Sequence, residues 1–165
     1  MKAIVLYDSV FGNTKKVAEA IGSSLANRAQ VELLQPSDQA LKHLAGIDLL
    51  VVGSPTRGFR PTEAISDLLK RVPSKDLKNT RVAAFDTRFK ADELKSATTR
   101  FVVKTGGYAA KRIASQLEKS GGTLVAPPEG FYVEDTEGPL KAGELERASA
   151  WAAALLSPPQ DPLGA

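Results

Sequence analysis

The sequence contains no cysteine and only one histidine. The first absence excludes a disulfide framework, a thiolate zinc site, iron–sulfur ligation and a cysteine nucleophile; the second excludes most histidine-built metal centres. Redox chemistry in such a chain needs a bound organic cofactor. Long apolar runs are missing too. None approaches the roughly 20 residues of a membrane-crossing helix, and the first apolar run begins at Ala3, which leaves no room ahead of it for a signal segment. The expectation is a soluble, cytoplasmic chain without membrane insertion. The phosphate-loop patterns G-x-x-x-x-G-K-[ST] and G-x-G-x-x-G are also absent, which disfavours a nucleotide triphosphatase and a dinucleotide-binding Rossmann domain. The net charge is only +3, with 22 basic residues interspersed among 19 acidic ones. That mixture reads as a solvated surface and predicts no nucleic-acid partner.

What is present fits one domain. A chain of 165 residues with 42% hydrophobic content is long enough to bury a core without disulfides or structural metal. Continuous apolar runs at residues 3–7 (AIVLY), 49–53 (LLVVG) and 82–85 (VAAF) read as strands covered on both faces. Further strands are expected at 30–34 (QVELL) and within 122–134, where TLVA and FYVE flank Pro127 and Pro128. Amphipathic helical stripes alternate with them: Val17, Ile21 and Leu25; Ile65, Leu68, Leu69 and Val72; Ala109, Ala110, Ile113, Ala114 and Leu117; and Leu145, Ala148, Ala152 and Leu155. Right-handed crossovers between such elements build a parallel sheet with helices on both faces. The domain is expected over residues 1–156, and the proline-rich end SPPQDPLGA, 157–165, as a disordered tail.

Ligands of an open α/β sheet bind beyond the carboxyl ends of its strands. After the first strand comes DSVFGNT, in which Ser9, Asn13 and Thr14 offer small polar side chains, Gly12 permits close backbone approach, and the next helix presents its unpaired N–H groups. Such a loop suits a phosphate. After the third strand stands GSPT, where a receiver domain would need a phosphoacceptor aspartate. His43 lies outside every ligand loop and is expected at the surface, and Trp151 is expected to pack against the sheet.

Residues 3–25, with a hydrophobic strand, an aromatic and then S-x-x-G-N-T-x-x-V-A-x-x-I, resemble the FMN phosphate-binding signature of flavodoxins. GSPTRGFRPT resembles that family's second flavin loop. FDTR, the later GYAAKRIASQLEKSGGTLV and the ending EGFYVEDTEGPLKAGELERASAW are similar to a bacterial flavodoxin-like subgroup. The resemblance covers residues 2 to about 156. It implies a flavodoxin-like, doubly wound, five-stranded parallel sheet of order 2-1-3-4-5 and bound FMN. By the same resemblance Ser9, Val10, Phe11, Gly12, Asn13 and Thr14 hold the phosphate. Pro55, Thr56, Arg57, Gly58 and Phe59 border the ring, and Asp86, Thr87 and Arg88 close its other side. No catalytic side chain and no metal are implied. Gly58 is the candidate for the peptide that, in flavodoxins, flips to accept a hydrogen bond from reduced flavin N5; lacking a Cβ, it makes the flip easy.

The chain departs from the family pattern in places. Flavodoxins usually have Thr where Phe11 stands, and the Trp and Tyr that often sandwich the ring are missing, which makes Phe59 the first stacking candidate, with Phe89 and Tyr108 behind it. Arg57, Arg60 and Arg88 make the ring loops basic where electron-carrying flavodoxins are acidic, unless they point to solvent or pair with Asp86 or Glu63. The stretch from Arg88 to Thr105 is long for a third loop and is expected to hold a short helix in ADELKSATTRF, as a cover over the flavin or over the sheet edge. The resemblance implies a monomeric shuttle between a reductase and an acceptor protein. An FMN-dependent oxidoreductase acting on a quinone-like or porphyrinogen-like molecule is the alternative, and a flavin-free scaffold a third.

Overall fold

The computed structural model describes residues 1–90, 97 and 107–158. Apart from residue 97, the helix expected in 91–101 lies outside these residues, as does the tail from 159 onward. In chain order the elements are β1 (Lys2–Tyr7), α1 (Asn13–Leu25), β2 (Gln30–Leu34), α2 (Asp38–His43), β3 (Leu49–Pro55), α3 (Glu63–Lys70) and β4 (Arg81–Arg88). Then follow α4 (Ala109–Lys119), β5 (Thr123–Leu124), β6 (Glu129–Tyr132) and α5 (Glu144–Leu155).

The strands form one parallel sheet in the order β2-β1-β3-β4-β5, with β6 also paired to β4. The expected strand order holds, and the fifth position is shared by two short strands. β5 pairs with Arg81 and Val82 of β4, and β6 with Phe85 to Arg88. Pro127 and Pro128 lie between them, and a residue without an N–H cannot donate to the ladder. The central strands are buried on both faces, as their unbroken apolar runs require. Alternate residues feed two cores. Ile4, Leu6, Leu50, Val52, Val82 and Ala84 pack with α2, α3 and α4. Ala3, Val5, Leu49, Val51, Ala83 and Phe85 pack with α1 and α5. Trp151 does lie against the sheet, edge-to-face with Phe85 at 6.3 Å and Phe131 at 6.0 Å between ring centroids.

Two helix readings need correction. The periodicity missed α2, whose start is fixed by Ser37 accepting a hydrogen bond from the Ala40 N–H at 3.0 Å, the usual work of an N-cap serine. In α5 the buried stripe is Glu144, Ala148, Ala152 and Leu155, while Leu145 is exposed. Glu144 takes the inward slot because its carboxylate has partners there: the Tyr132 N–H at 2.8 Å and the Arg147 guanidinium at 2.7 Å.

The pairing registers set Tyr7 beside Gly53, and Pro55 beside Thr87. The loops after β1, β3 and β4 therefore emerge together at one end of the sheet.

Candidate functional site

A cleft of about 240 Å³ opens where those three loops converge. Its walls come from Val10, Phe11, Asn13 and Thr14, from Pro55, Thr56, Arg57 and Gly58, and from Thr87, Arg88 and Phe89, with Val133 and Thr136 added from the segment after β6. Of the residues expected at the site, Ser9, Gly12, Phe59 and Asp86 do not line it. Among the described residues no acidic side chain lines it either. The volume falls below the roughly 300–1,000 Å³ of enclosed ligand pockets, so a ligand of nucleotide size would stay partly at the surface.

The first loop turns into α1 through Gly12, whose φ of 93° is the left-handed backbone that glycine adopts without strain. Ser9 organises the turn from outside the cleft, its hydroxyl accepting from the Gly12 N–H at 3.1 Å and the Lys15 N–H at 3.3 Å. α1 starts without a capping side chain and with no acidic residue in its first turn, which leaves the positive end of its dipole for an anion. Asn13 and Thr14 are buried and already engaged. Asn13 donates from Nδ2 to the Glu137 carbonyl at 3.1 Å, and Thr14 Oγ1 lies 2.8 Å from Thr87 Oγ1. When Thr87 donates in that pair, the Thr14 proton stays free for a ligand oxygen. The Asn13 bond draws in the 133–137 segment, which explains how Val133 and Thr136 reach the cleft; no signal in the sequence joins positions so far apart.

The second loop is a tight two-residue turn. Arg57 N donates to Arg60 O at 2.9 Å and Arg60 N to Arg57 O at 3.0 Å. Gly58 (φ 53°) and Phe59 (φ 65°) occupy its centre, both left-handed as in a type I′ turn. Phe59 is strained there, at a cost of about 1–3 kcal/mol for a bulky side chain. Phe11 and Phe89, rather than Phe59, supply the aromatic surface of the cleft. Val10 and Phe11 are 47% and 46% exposed at its rim, and the Arg57 guanidinium stands 6.0 Å from the Phe11 ring centroid.

Arg88 is not a free cation. It binds the Asp86 carboxylate in a fork, Nε to Oδ1 at 2.5 Å and Nη2 to Oδ2 at 2.8 Å, and stacks 3.7 Å from the Tyr108 ring centroid. Asp86 has no exposed surface. Burial pushes its carboxyl up from its ordinary value, against the opposing pull of Arg88, the Ala110 N–H and the Thr56 hydroxyl. Ala110 donates to Asp86 at 2.9 Å and Ala109 to Thr56 Oγ1 at 3.1 Å. Asp86 and Thr56 thus cap α4 from neighbouring strands, and Arg88 reaches the cleft wall as the neutralising partner of that cap. Room for it comes from Gly130 on β6, where a Cβ would overlap the guanidinium. His43 is half exposed, pairs with Glu32 at 3.0 Å and does not line the cleft. Among the described residues no cluster of His, Asp and Glu is arranged to hold a metal, and no helix is long and apolar enough to cross a membrane.

A doubly wound parallel sheet with three loops gathered at the carboxyl ends of its strands defines a flavodoxin-like α/β protein. Residues 4–125 match the model of the flavodoxin domain, and the chain belongs to that family. Flavodoxins typically bind FMN and carry electrons to redox partner proteins. No curated protein matches the chain in sequence. Among solved structures, a flavodoxin from the domain Archaea is 24% identical, with a TM-score of 0.70 over 94% of this chain and 96% of its own. Oxidised flavodoxin 2 from Bacillus cereus is also 24% identical, with a TM-score of 0.71 over 94% and 97%. Rubredoxin oxygen:oxidoreductase from Desulfovibrio gigas is 19% identical, with a TM-score of 0.67, and 93% of this chain covers 35% of that one. The fold therefore occurs both alone and as one part of a larger oxidoreductase.

Proposed function

We propose that residues 1–156 act as an FMN-binding electron carrier between a reductase and an acceptor protein. The observation that carries this reading is the make-up of the cleft. An uncapped α1 start, Arg57 and a lining whose described residues include no carboxylate suit a doubly charged phosphate, while Val10, Phe11, Pro55, Phe89 and Val133 suit an apolar ring. The donor set and the walls fit FMN. When bound, it would supply the one- and two-electron redox chemistry that no side chain here provides.

The residues then have distinct tasks. The backbone from Val10 to Thr14 and the Thr14 hydroxyl hold the phosphate against the α1 dipole. Pro55, Gly58, Thr87 and Phe89 border the ring and keep water from its inner edge. Arg57, exposed and in no ion pair with another described residue, favours added negative charge on a neighbouring ring. Arg88 contributes less, because Asp86 already neutralises it. The turn centred on Gly58 and Phe59 is the flexible part: rotation of the peptide between them would carry Phe59 out of its left-handed φ, which makes the turn easy to switch.

The exposed ledge of Val10 and Phe11 under Arg57 favours one second reading, an FMN-dependent oxidoreductase that presents this surface to a flat, quinone-like or porphyrinogen-like small molecule. NADPH consumption separates the two. A carrier loaded with FMN is expected to consume none by itself, with or without added quinone, and to support steady turnover once a flavoprotein reductase is supplied. Sustained NADPH oxidation with quinone and no reductase would replace the carrier reading with the second.

A further inference from the structure

Five cations gather in a groove of about 540 Å³ between α3 and α4: Arg60, Lys70, Lys111, Arg112 and Lys119. Among the described residues no acidic side chain lines the groove. All five residues are exposed, and none forms an ion pair with another described residue. Their charge exceeds the +3 of the whole chain, so the remainder is net acidic. The positive excess of a sequence that reads as evenly mixed is therefore matched by this one groove.

Helix stability does not account for this placement. Lys70 and Lys119 sit in last turns, where a cation suits the helix dipole. Lys111 and Arg112 sit in the first turn of α4, where the dipole disfavours them, and Arg60 belongs to a turn. Crowded like charges raise the energy of the free protein and lower it only when an anionic surface arrives. The groove also adjoins the cleft, since Arg60 closes the turn whose Arg57 and Gly58 form one of its walls.

We propose that this groove docks the acidic face of a redox partner protein and holds that partner beside the cleft. The electron-transfer role of the contact rests on the carrier reading above; the charge complementarity does not. A protein face is favoured over a nucleic acid because, among the described residues, no aromatic side chain lines the groove to stack a base. Lys111 and Lys119 stand about 12 Å apart along α4, a span that a row of surface carboxylates can match.

Biolayer interferometry with immobilised cytochrome b5, an acidic haem protein, cytochrome c, a basic one, and a dT12 oligonucleotide tests the proposal. The expected result is association with cytochrome b5 that slows by about tenfold between about 20 and 300 mM salt. The fourfold variant Lys70→Gln/Lys111→Gln/Arg112→Gln/Lys119→Gln is expected to lose a comparable factor, while keeping the wild-type circular dichroism and FMN titration. A variant that associates like the wild type overturns the proposal. So does a wild type that prefers cytochrome c or dT12, or shows no salt-dependent association with cytochrome b5. A wild type that takes up no FMN yet still associates with cytochrome b5 contradicts the carrier reading and leaves the docking face standing; flavin uptake without association contradicts the docking face alone.

Discussion

A carboxylate with no exposed surface, such as Asp86, has to be matched donor by donor, and here four donors meet it: two from Arg88, the Ala110 N–H and the Thr56 hydroxyl. Removing one member of such a pair leaves the other charge stranded. Arg88→Met is expected to cost about 3–5 kcal/mol, and Asp86→Leu combined with Arg88→Met to recover much of it, because the pair together is worth far less than either charge alone. Urea denaturation of the two variants checks this; equal losses would show that the pair is not coupled. Gly130→Ala should act in the same direction by displacing the guanidinium. The pairing was open to reading, since residues two apart in a strand share a face and Asp86 and Arg88 both lie in β4. Phe59 was less legible. Its apolar ring suggested stacking, but its position is fixed by a two-residue turn that the letters GFR do not announce, because Phe is rare at left-handed φ.

The helices whose stripes repeat on one face, α1, α3 and α4, were readable because burial alone orders them, and Val17, Ile21, Leu25, Ile65 and Ile113 have no exposed surface. α5 was misread by one residue because a charged side chain outcompeted a leucine for the inward slot. Burial acts to raise the carboxyl of Glu144, but the bonds from Arg147 and the Tyr132 N–H outweigh it and hold the group below its ordinary value of 4.5. A group depressed in the folded state adds stability that is present above its unfolded pKa and is lost as pH falls through the folded one. The stability gap between wild type and Glu144→Gln is therefore expected at about 1.5–3 kcal/mol at neutral pH, shrinking as pH drops below 4.5. Denaturation curves at a series of pH values measure it, and a gap that does not change with pH would remove the ion pair from the account of how α5 is held to β6.

The parallel sheet followed from alternation and crossover handedness, and its strand order from the resemblance to flavodoxins; together they locate the cleft. The remaining wall did not follow. Val133 and Thr136 arrive through a contact between Asn13 and Glu137, and the gathering of cations between α3 and α4 depends on which helix faces meet; both are products of packing between distant parts of the chain. The central claim is that the α1 terminus receives a phosphate while the apolar walls receive a ring. Equilibrium titration with FMN and with riboflavin, which lacks the phosphate, tests it most directly by flavin fluorescence. The prediction is that FMN binds, that riboflavin binds at least about tenfold more weakly, in line with charge-assisted hydrogen bonds of about 1.5–3 kcal/mol, and that Thr14→Val narrows the difference. No binding of FMN, or equal affinity for the two flavins, would contradict it.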